Sequence, residues 1–366
     1  KITGKRANAA YVLPKLMWIQ QKWQNIYHNT HKFLMAHDFL LAKLTGEYFT
    51  DHTMAGGTLM YDVNTMLWNR DIIERFNIDI QKLPDIKWSG EVVGKIRKEV
   101  AEELGFNENV TVCVGAQDQK AAALGAKLDY KKTTLSLGTA GVIEILVDTP
   151  VFDEKKSIPC FTYIQKGQWV LEAVVSTSGA SLKWCRNVLF PGIDYKELDC
   201  LCEESPAGSK GVFFYPHLAG ATSPYWNTDV RGMFYGLSLS TRRQDIARSV
   251  LEGIAFQLKT NIRKAENLGV NIESIQVFGG GSRSKIWCGI ISEITGKRVT
   301  AFASPEIANL GAGMLAARGC GLYSDNFGKV IRDRKTDFNA NKNRTEKYDE
   351  IYEKYIAVEK LFVEES

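Results

Sequence analysis

Apolar positions along this chain follow two different spacings, and the changes from one to the other mark its elements. Helical spacing predicts an amphipathic helix around residues 14–19, others at 31–45 and 92–104, and a long one over 243–268. Short apolar runs bounded by turn residues predict strands at 111–115, 133–137, 142–147, 168–175 and 274–278. A small-residue loop is expected at 50–62 and a turn at 206–209, and the apolar segment 211–217 should lead into a loop over 218–230. Further helices are expected from Lys285, from Pro305, and over the tail 346–365. Strands alternating with helices in this way indicate an α/β architecture.

The stretch 111–141 carries the most chemistry. An apolar run meets a lone carboxylate, Asp118, followed by the small-residue segment 121–126. A second apolar run then ends in Ser136-Leu137-Gly138-Thr139-Ala140-Gly141. This pattern describes a strand delivering an acid to its edge, a tightly packed helix, and a turn whose glycines let backbone amides approach a phosphate. An acid beside such a turn is what phosphoryl transfer to a hydroxyl needs. Each motif alone also fits a plainer role, since Asp after a strand often caps a helix and Gly-Thr-Ala-Gly often makes a hairpin turn.

A second strand–glycine–helix pattern follows residues 274–278, at Gly279-Gly280-Gly281-Ser282-Arg283-Ser284. It offers another place where backbone can press against a nucleotide, although a flexible turn would read the same. Its spacing is not that of the dinucleotide fingerprint, which argues against an oxidoreductase. The helix expected after Pro305 is rich in small residues and suits close packing beneath this turn. His37-Asp38 and Asp51-His52 could be taken for catalytic pairs. Adjacent residues do not face each other, so capping or solvation is the favoured account of both.

At 366 residues the chain is long enough for about two domains. Its net charge of +4 is small and its basic clusters lack interleaved aromatics, so nucleic acid is not an expected partner. The seven cysteines are odd in number and irregularly spaced, which fits free thiols in a reducing compartment. Cys200-Leu201-Cys202 lacks zinc-site spacing. No apolar run reaches the length of a membrane span, and a cytoplasmic location is expected.

Several motifs, in order, resemble the FGGY family of carbohydrate kinases. They are Val114-Gly115-Ala116-Gln117-Asp118-Gln119, Leu137-Gly138-Thr139-Ala140-Gly141, Arg231-Gly232-Met233-Phe234-Tyr235-Gly236, Arg248-Ser249-Val250-Leu251-Glu252-Gly253, Phe278-Gly279-Gly280-Gly281-Ser282-Arg283-Ser284 and Glu306-Ile307-Ala308-Asn309-Leu310-Gly311. The resemblance covers essentially the whole chain. It implies a two-domain actin/ribonuclease-H-like ATPase fold, with residues 1–127 in a sugar-binding domain and 128–366 in a nucleotide-binding one. It further implies ATP-dependent phosphorylation of a sugar, sugar acid or polyol, with Mg²⁺ bridging the ATP phosphates. Asp118 would be the general base and Gln119 a substrate contact. Gly138 and Thr139 would form a phosphate loop and Gly280 and Gly281 an adenine wall, with Ser282 and Asn309 as further nucleotide contacts.

The sequence also departs from the family pattern. The Asp-x-Gly-Thr loop with which family members begin has no counterpart, so the chain is expected to start about one subdomain late, with a truncated first domain. An exposed sheet edge and an apolar face around Leu16, Trp18 and Ile19 should result, inviting aggregation or a homodimer. On this reading the chain alone should be inactive, and a nucleotide-binding relative without catalysis is the alternative. For the substrate, Gly57-Thr58-Leu59, Asp62 and Trp68 resemble pentulose kinases, whereas Pro224-Tyr225-Trp226 resembles the glycerol and gluconate kinases. Xylulose is the first expectation, with gluconate or glycerol next.

Overall fold

The computed structural model describes residues 1–304, 306–322 and 335–363. The chain opens with helices α1 (Val12–Lys22) and α2 (Gln24–Asn29). Leu13 and Leu16 of α1 are buried with Met60, Ile73 and Leu83 in a small core. The expected apolar face is therefore split. Leu16 points inward, while Trp18 is 48% exposed and rests edge-on against Trp23, ring centroids 4.5 Å apart. Two residues along a helix turn about 200°, so these two side chains cannot share one face.

Helix α3 (Ala36–Thr45) begins five residues later than its periodicity suggests. The Phe33 amide instead donates to Lys82 O at 2.7 Å, and Asp38 accepts from the Met35 amide at 3.1 Å, fixing the helix start. The segment expected as a loop carries β1 (Phe49–Asp51), the one-turn helix α4 (His52–Gly56) and β2 (Tyr61–Asp62). Asp51 caps α4, accepting from the Thr53 and Met54 amides. Next come β3 (Leu67–Trp68), α5 (Arg70–Arg75) and β4 (Asp85–Lys87), the last pairing in parallel with β1.

The helix expected over 92–104 is two elements, β5 (Val92–Lys95) and α6 (Lys98–Leu104). Val92 and Val93 favour a strand, Gly94 interrupts the helical pattern, and β6 (Thr111–Cys113) offers the antiparallel partner. Helix α7 (Asp118–Gly125) follows.

The second unit is organised by one mixed sheet. In chain order it contains β7 (Lys132–Leu137), β8 (Gly141–Val147), β9 (Cys160–Thr162), β10 (Trp169–Val175), α8 (Gly179–Leu189) and α9 (Tyr195–Glu203). There follow β11 (Phe213–Tyr215), β12 (Met233–Tyr235), α10 (Arg243–Glu266), β13 (Ser274–Phe278), α11 (Lys285–Thr295), β14 (Arg298–Phe302) and α12 (Ile307–Gly319). The chain closes with β15 (Lys335–Phe338) and α13 (Lys342–Val363). The strand order is β15-β14-β13-β7-β8-β10-β9. Strands β14, β13 and β7 run parallel, whereas β8 and β10 form an antiparallel meander with β7. Pro305 and Glu365, expected in the last two helices, lie outside the described residues.

Helix α10 supplies the buried spine of this unit through Val250, Leu251, Ile254 and Leu258. The tyrosine-rich face of α13 covers it, with Phe256 and Tyr355 rings 4.8 Å apart. The two units meet where Tyr61 and Val63 join the core beside β9 and β10, and where α7 crosses α12. A Cβ on Gly311 would overlap the Ala121 carbonyl, and one on Gly125 would overlap that of Ile307. The small residues of both helices are thus required by backbone-to-backbone approach. Among the described residues no helix is long and apolar enough to cross a membrane, and all seven cysteines are free thiols.

Candidate functional site

The two glycine turns, about 140 residues apart in sequence, line one cavity of about 980 Å³. Parallel pairing of β13 with β7 brings Phe278 opposite Ser136, so the loops leaving both strands emerge side by side. Gly138 and Thr139 come from the first loop, and Gly280, Gly281, Arg283 and Ser284 from the second. Gly279 stands at φ +91°, and a Cβ there would press on the Leu137 backbone. Gly280, by contrast, would send a side chain into open space.

The start of α8 locks onto the first turn. The Gly179 amide donates to Gly138 O at 2.9 Å and the Ala180 amide to Thr139 O at 3.1 Å. One face of α8, carrying Ala180, Lys183, Trp184 and Asn187, then runs along the cavity. Tyr195, Lys196 and Asp199 of α9 complete the wall over an apolar floor of Leu137, Leu182 and Trp287. The site thus joins an amide-rich glycine turn and cationic side chains to an aromatic compartment, a combination suited to a nucleotide. The α8 and α9 residues carry no motif, and only the amphipathic spacing of their helices could have pointed to them.

Two expected nucleotide contacts do not line this cavity. Ser282 donates its hydroxyl to Gly279 O at 2.8 Å and Phe302 O at 3.0 Å, holding the turn to β14. Asn309 lies exposed on α12, its side-chain amide 3.3 Å from Glu306.

Asp118 is exposed at the first turn of α7, outside the cavity lining. Its Oδ1 accepts from the Gln119 amide at 2.7 Å, and the Gln119 side-chain oxygen is buried without a partner. Lys120, the next residue, is buried and extends to the sheet of the second unit. Its Nζ stands 2.6 Å from Glu144 Oε1 on β8 and 2.6 Å from Glu172 Oε2 on β10. These two glutamates face each other in the β8–β10 ladder, three residues from the Gly141–Val175 pair that opens it. The first turn of α7 is thereby tied to the middle of the β8–β10 pair.

Burial works against the Lys120 charge, but the two carboxylates override it and raise its pKa. Burial pushes Glu144 well above the usual carboxylate range despite Lys120, whereas for Glu172 the Lys120 ammonium outweighs burial and lowers the pKa. With one ammonium shared by two carboxyls in a dry site, the protonated form is favoured at Glu144 and the ionised form at Glu172. Lys5, also buried, lies 4.0 Å from the centre of the Phe161 ring, against 4.5 Å for Lys120. Burial brings its pKa down to about 7.

On its other side, the segment before Asp118 is held by a chain of polar contacts. The Gln117 amide donates to Thr53 Oγ1 at 2.7 Å, and Thr53 in turn donates to Asp51. His37 Nε2 lies 3.0 Å from Asp38 Oδ1 and 3.2 Å from Asp51 Oδ2, shared between two fully buried carboxylates rather than aligned on either. The capping roles expected of both aspartates are present, and His37 links them across the chain. Burial opposes its charge, yet the two carboxylates raise its pKa to about 9.

A folded-state pKa above the ordinary 6.5 stabilises the fold fully below pH 6.5, and this contribution is lost as pH rises through about 9. The stability difference between wild type and His37→Gln should therefore shrink across that window. Urea titrations at pH 6 and pH 9.5 measure it, and an unchanged difference would show that His37 is not charged in the fold.

The domain models for the FGGY family of carbohydrate kinases match residues 1–125 (N-terminal domain) and 133–320 (C-terminal domain). The xylulose kinase of Staphylococcus xylosus is 29% identical, over 87% of this chain and 66% of its own length. The gluconokinase of Bacillus subtilis is 28% identical, over 94% of this chain and 71% of its own. Among solved structures, ligand-bound xylulose kinase from Lactobacillus acidophilus superposes with a TM-score of 0.91 at 26% identity, covering 98% of this chain and 73% of that one. The chain thus spans about two thirds to three quarters of these relatives. Its architecture is the two-domain actin-like ATPase fold, and with both domain models matched the chain belongs to the FGGY family of carbohydrate kinases.

Proposed function

We propose that this chain belongs to an ATP-dependent kinase that phosphorylates a hydroxyl of a small sugar, xylulose first and gluconate or glycerol next. The observation that carries this reading is the convergence of the two glycine turns on one cavity, with Asp118 on a helix anchored to the same sheet through Lys120. In the proposed reaction Asp118 takes the proton of the acceptor hydroxyl. That oxygen bonds to the γ-phosphorus, the bond to the bridging oxygen breaks, and ADP leaves. Gly138 and Thr139 would lie along the phosphates, Gly280 and Gly281 along the nucleoside, and Gln119 would face the sugar. The aromatic floor and Lys183 fit a nucleoside and a polyphosphate respectively. Among the described residues no three His, Cys, Asp or Glu side chains gather as a metal site. Mg²⁺ bound mainly by phosphates and water needs few protein ligands, and when bound it would offset charge on the phosphates.

The test is ADP release by the intact protein with xylulose, gluconate and glycerol in turn. Turnover with one of them is expected, and its absence with all three would defeat the kinase reading. The non-catalytic alternative gains no support from relatives named as kinases.

Gly280→Val should leave the fold intact, because its side chain would enter open space. It should weaken ATP binding by filling part of the cavity. Equal stabilisation of the variant and the wild type by ATP in thermal melts would move the nucleotide elsewhere.

A further inference from the structure

The α9 wall of the cavity contains a carboxylate that phosphoryl transfer does not call for. Asp199 lines the cavity, and among the described residues the Ser284 hydroxyl donates to its Oδ1 at 3.0 Å. Ser284 is itself fixed, because it also caps α11 by accepting from the Trp287 amide at 3.1 Å. Lys183, Lys196 and Arg283 line the same cavity, yet no ion pair joins any of them to Asp199. Partial burial raises the Asp199 pKa, Ser284 opposes this, and Glu203 one turn further along α9 adds to it.

A negative charge at this position has a consequence for any nucleotide in the cavity. The phosphates must stay away from Asp199 and occupy the end formed by Gly138, Thr139 and the first turn of α8. From Gly179 to Asn187 the lining face of α8 extends about 12 Å at 1.5 Å per residue, enough to separate a phosphate end from a nucleoside end. A group facing Asp199 is favoured if it carries N–H or O–H donors, since Ser284 satisfies Oδ1 and a carboxylate oxygen only accepts. A nucleoside has two such sets, the exocyclic amino group of its base and the ribose hydroxyls.

We infer that Asp199, held by Ser284, is the specificity-determining acceptor for the donor groups of the nucleoside. This inference rests on the cavity being the nucleotide site. It gives a role to a carboxylate that lies one turn from Tyr195 on the same lining face of α9. It also separates the work of recognition. Backbone amides and cations take the phosphates, whereas one anchored carboxylate reads the nucleoside.

The test is calorimetric titration of this chain with ATP, inosine triphosphate and 2′-deoxy-ATP, in the wild type and in Asp199→Ala and Asp199→Asn. Inosine triphosphate lacks the amino group and 2′-deoxy-ATP lacks one hydroxyl. The wild type should bind one of them about tenfold or more weakly than ATP, and which one shows the donor that Asp199 meets. Asp199→Ala should lose the discrimination, and Asp199→Asn, which keeps one acceptor oxygen, should retain part of it. Unliganded melting temperatures identify a variant that fails to fold, and the wild-type comparison stands without either variant. Equal wild-type affinity for all three nucleotides, or ATP affinity unchanged in Asp199→Ala, would overturn the inference while leaving the nucleotide site in place. No binding of any nucleotide by the wild type would remove the site itself, and this inference with it.

Discussion

Turnover is expected to fall by ~10² to 10⁴-fold when Asp118 is replaced with Asn, while affinity for ATP stays close to that of the wild type. An amide cannot take a proton from the acceptor hydroxyl, so the loss belongs to the chemical step. Asp118 lies outside the lining of the proposed nucleotide cavity, so contacts to ATP should survive its replacement. The side chain is exposed at the first turn of α7, as a group meeting an incoming hydroxyl must be. Asn preserves its size, and the accepting Oδ1 that receives the Gln119 amide has an amide counterpart. Steady-state kinetics paired with ATP titration separate the outcomes. A kcat within a few-fold of wild type would remove Asp118 from the base role, and a parallel loss of ATP binding would indicate a structural fault instead.

The largest loss of stability is expected at Lys120. Replacing it with Met leaves Glu144 and Glu172 facing each other, with Glu172 deprived of its cation in a buried site. Breaking a buried ion pair from one side costs about 3–5 kcal/mol, because the remaining charge is uncompensated. The methylene stem is retained in Met, so lost packing contributes little. Adding Glu172→Gln to Lys120→Met should recover much of the loss, since it removes the stranded charge. Urea unfolding of the single and double variants decides it. A single-variant cost below about 1 kcal/mol would mean that the triad stays hydrated and the tie to the sheet is weak.

The parts of this fold that could be read from sequence are those whose burial is uniform along the element. Strands β7, β8, β10 and β13 appear as apolar runs because their side chains are largely covered, and α10 appears as a long period because nearly every turn of it is buried. Elements decided by a distant partner were not legible. Val92–Lys95 is a strand because β6 lies beside it, and α4 exists because Asp51 caps it. The same division applies to the site. Gly138 and Gly280 stand out because they lie in glycine-rich turns that follow apolar runs, and Gly279 and Gly281 of the second turn have no room for a Cβ, whereas Lys183, Trp184 and Asp199 come from helix faces whose common target only the fold supplies. His37-Asp38 and Asp51-His52 were legible as caps but not as one cluster, because the contact that joins them crosses from α3 to β1.

The crossing of α7 and α12 limits how the two units can move. Where Ala121 and Gly125 lie backbone to backbone against Gly311 and Ile307, there are no side chains to slide past one another. A swing that used this crossing as its axle would also have to accommodate the second junction, where the Trp169 indole donates to Val63 O at 2.7 Å. Asp118 is three to seven residues from the crossing along α7, about 5–10 Å at 1.5 Å per residue. A swing of about 10° would then carry its carboxylate only ~1–2 Å, while parts of the units ~30 Å away would travel ~5 Å. A swing of this kind would leave the proposed base nearly still while more distant walls moved, so ligands could enter and leave without the acid being realigned at each cycle.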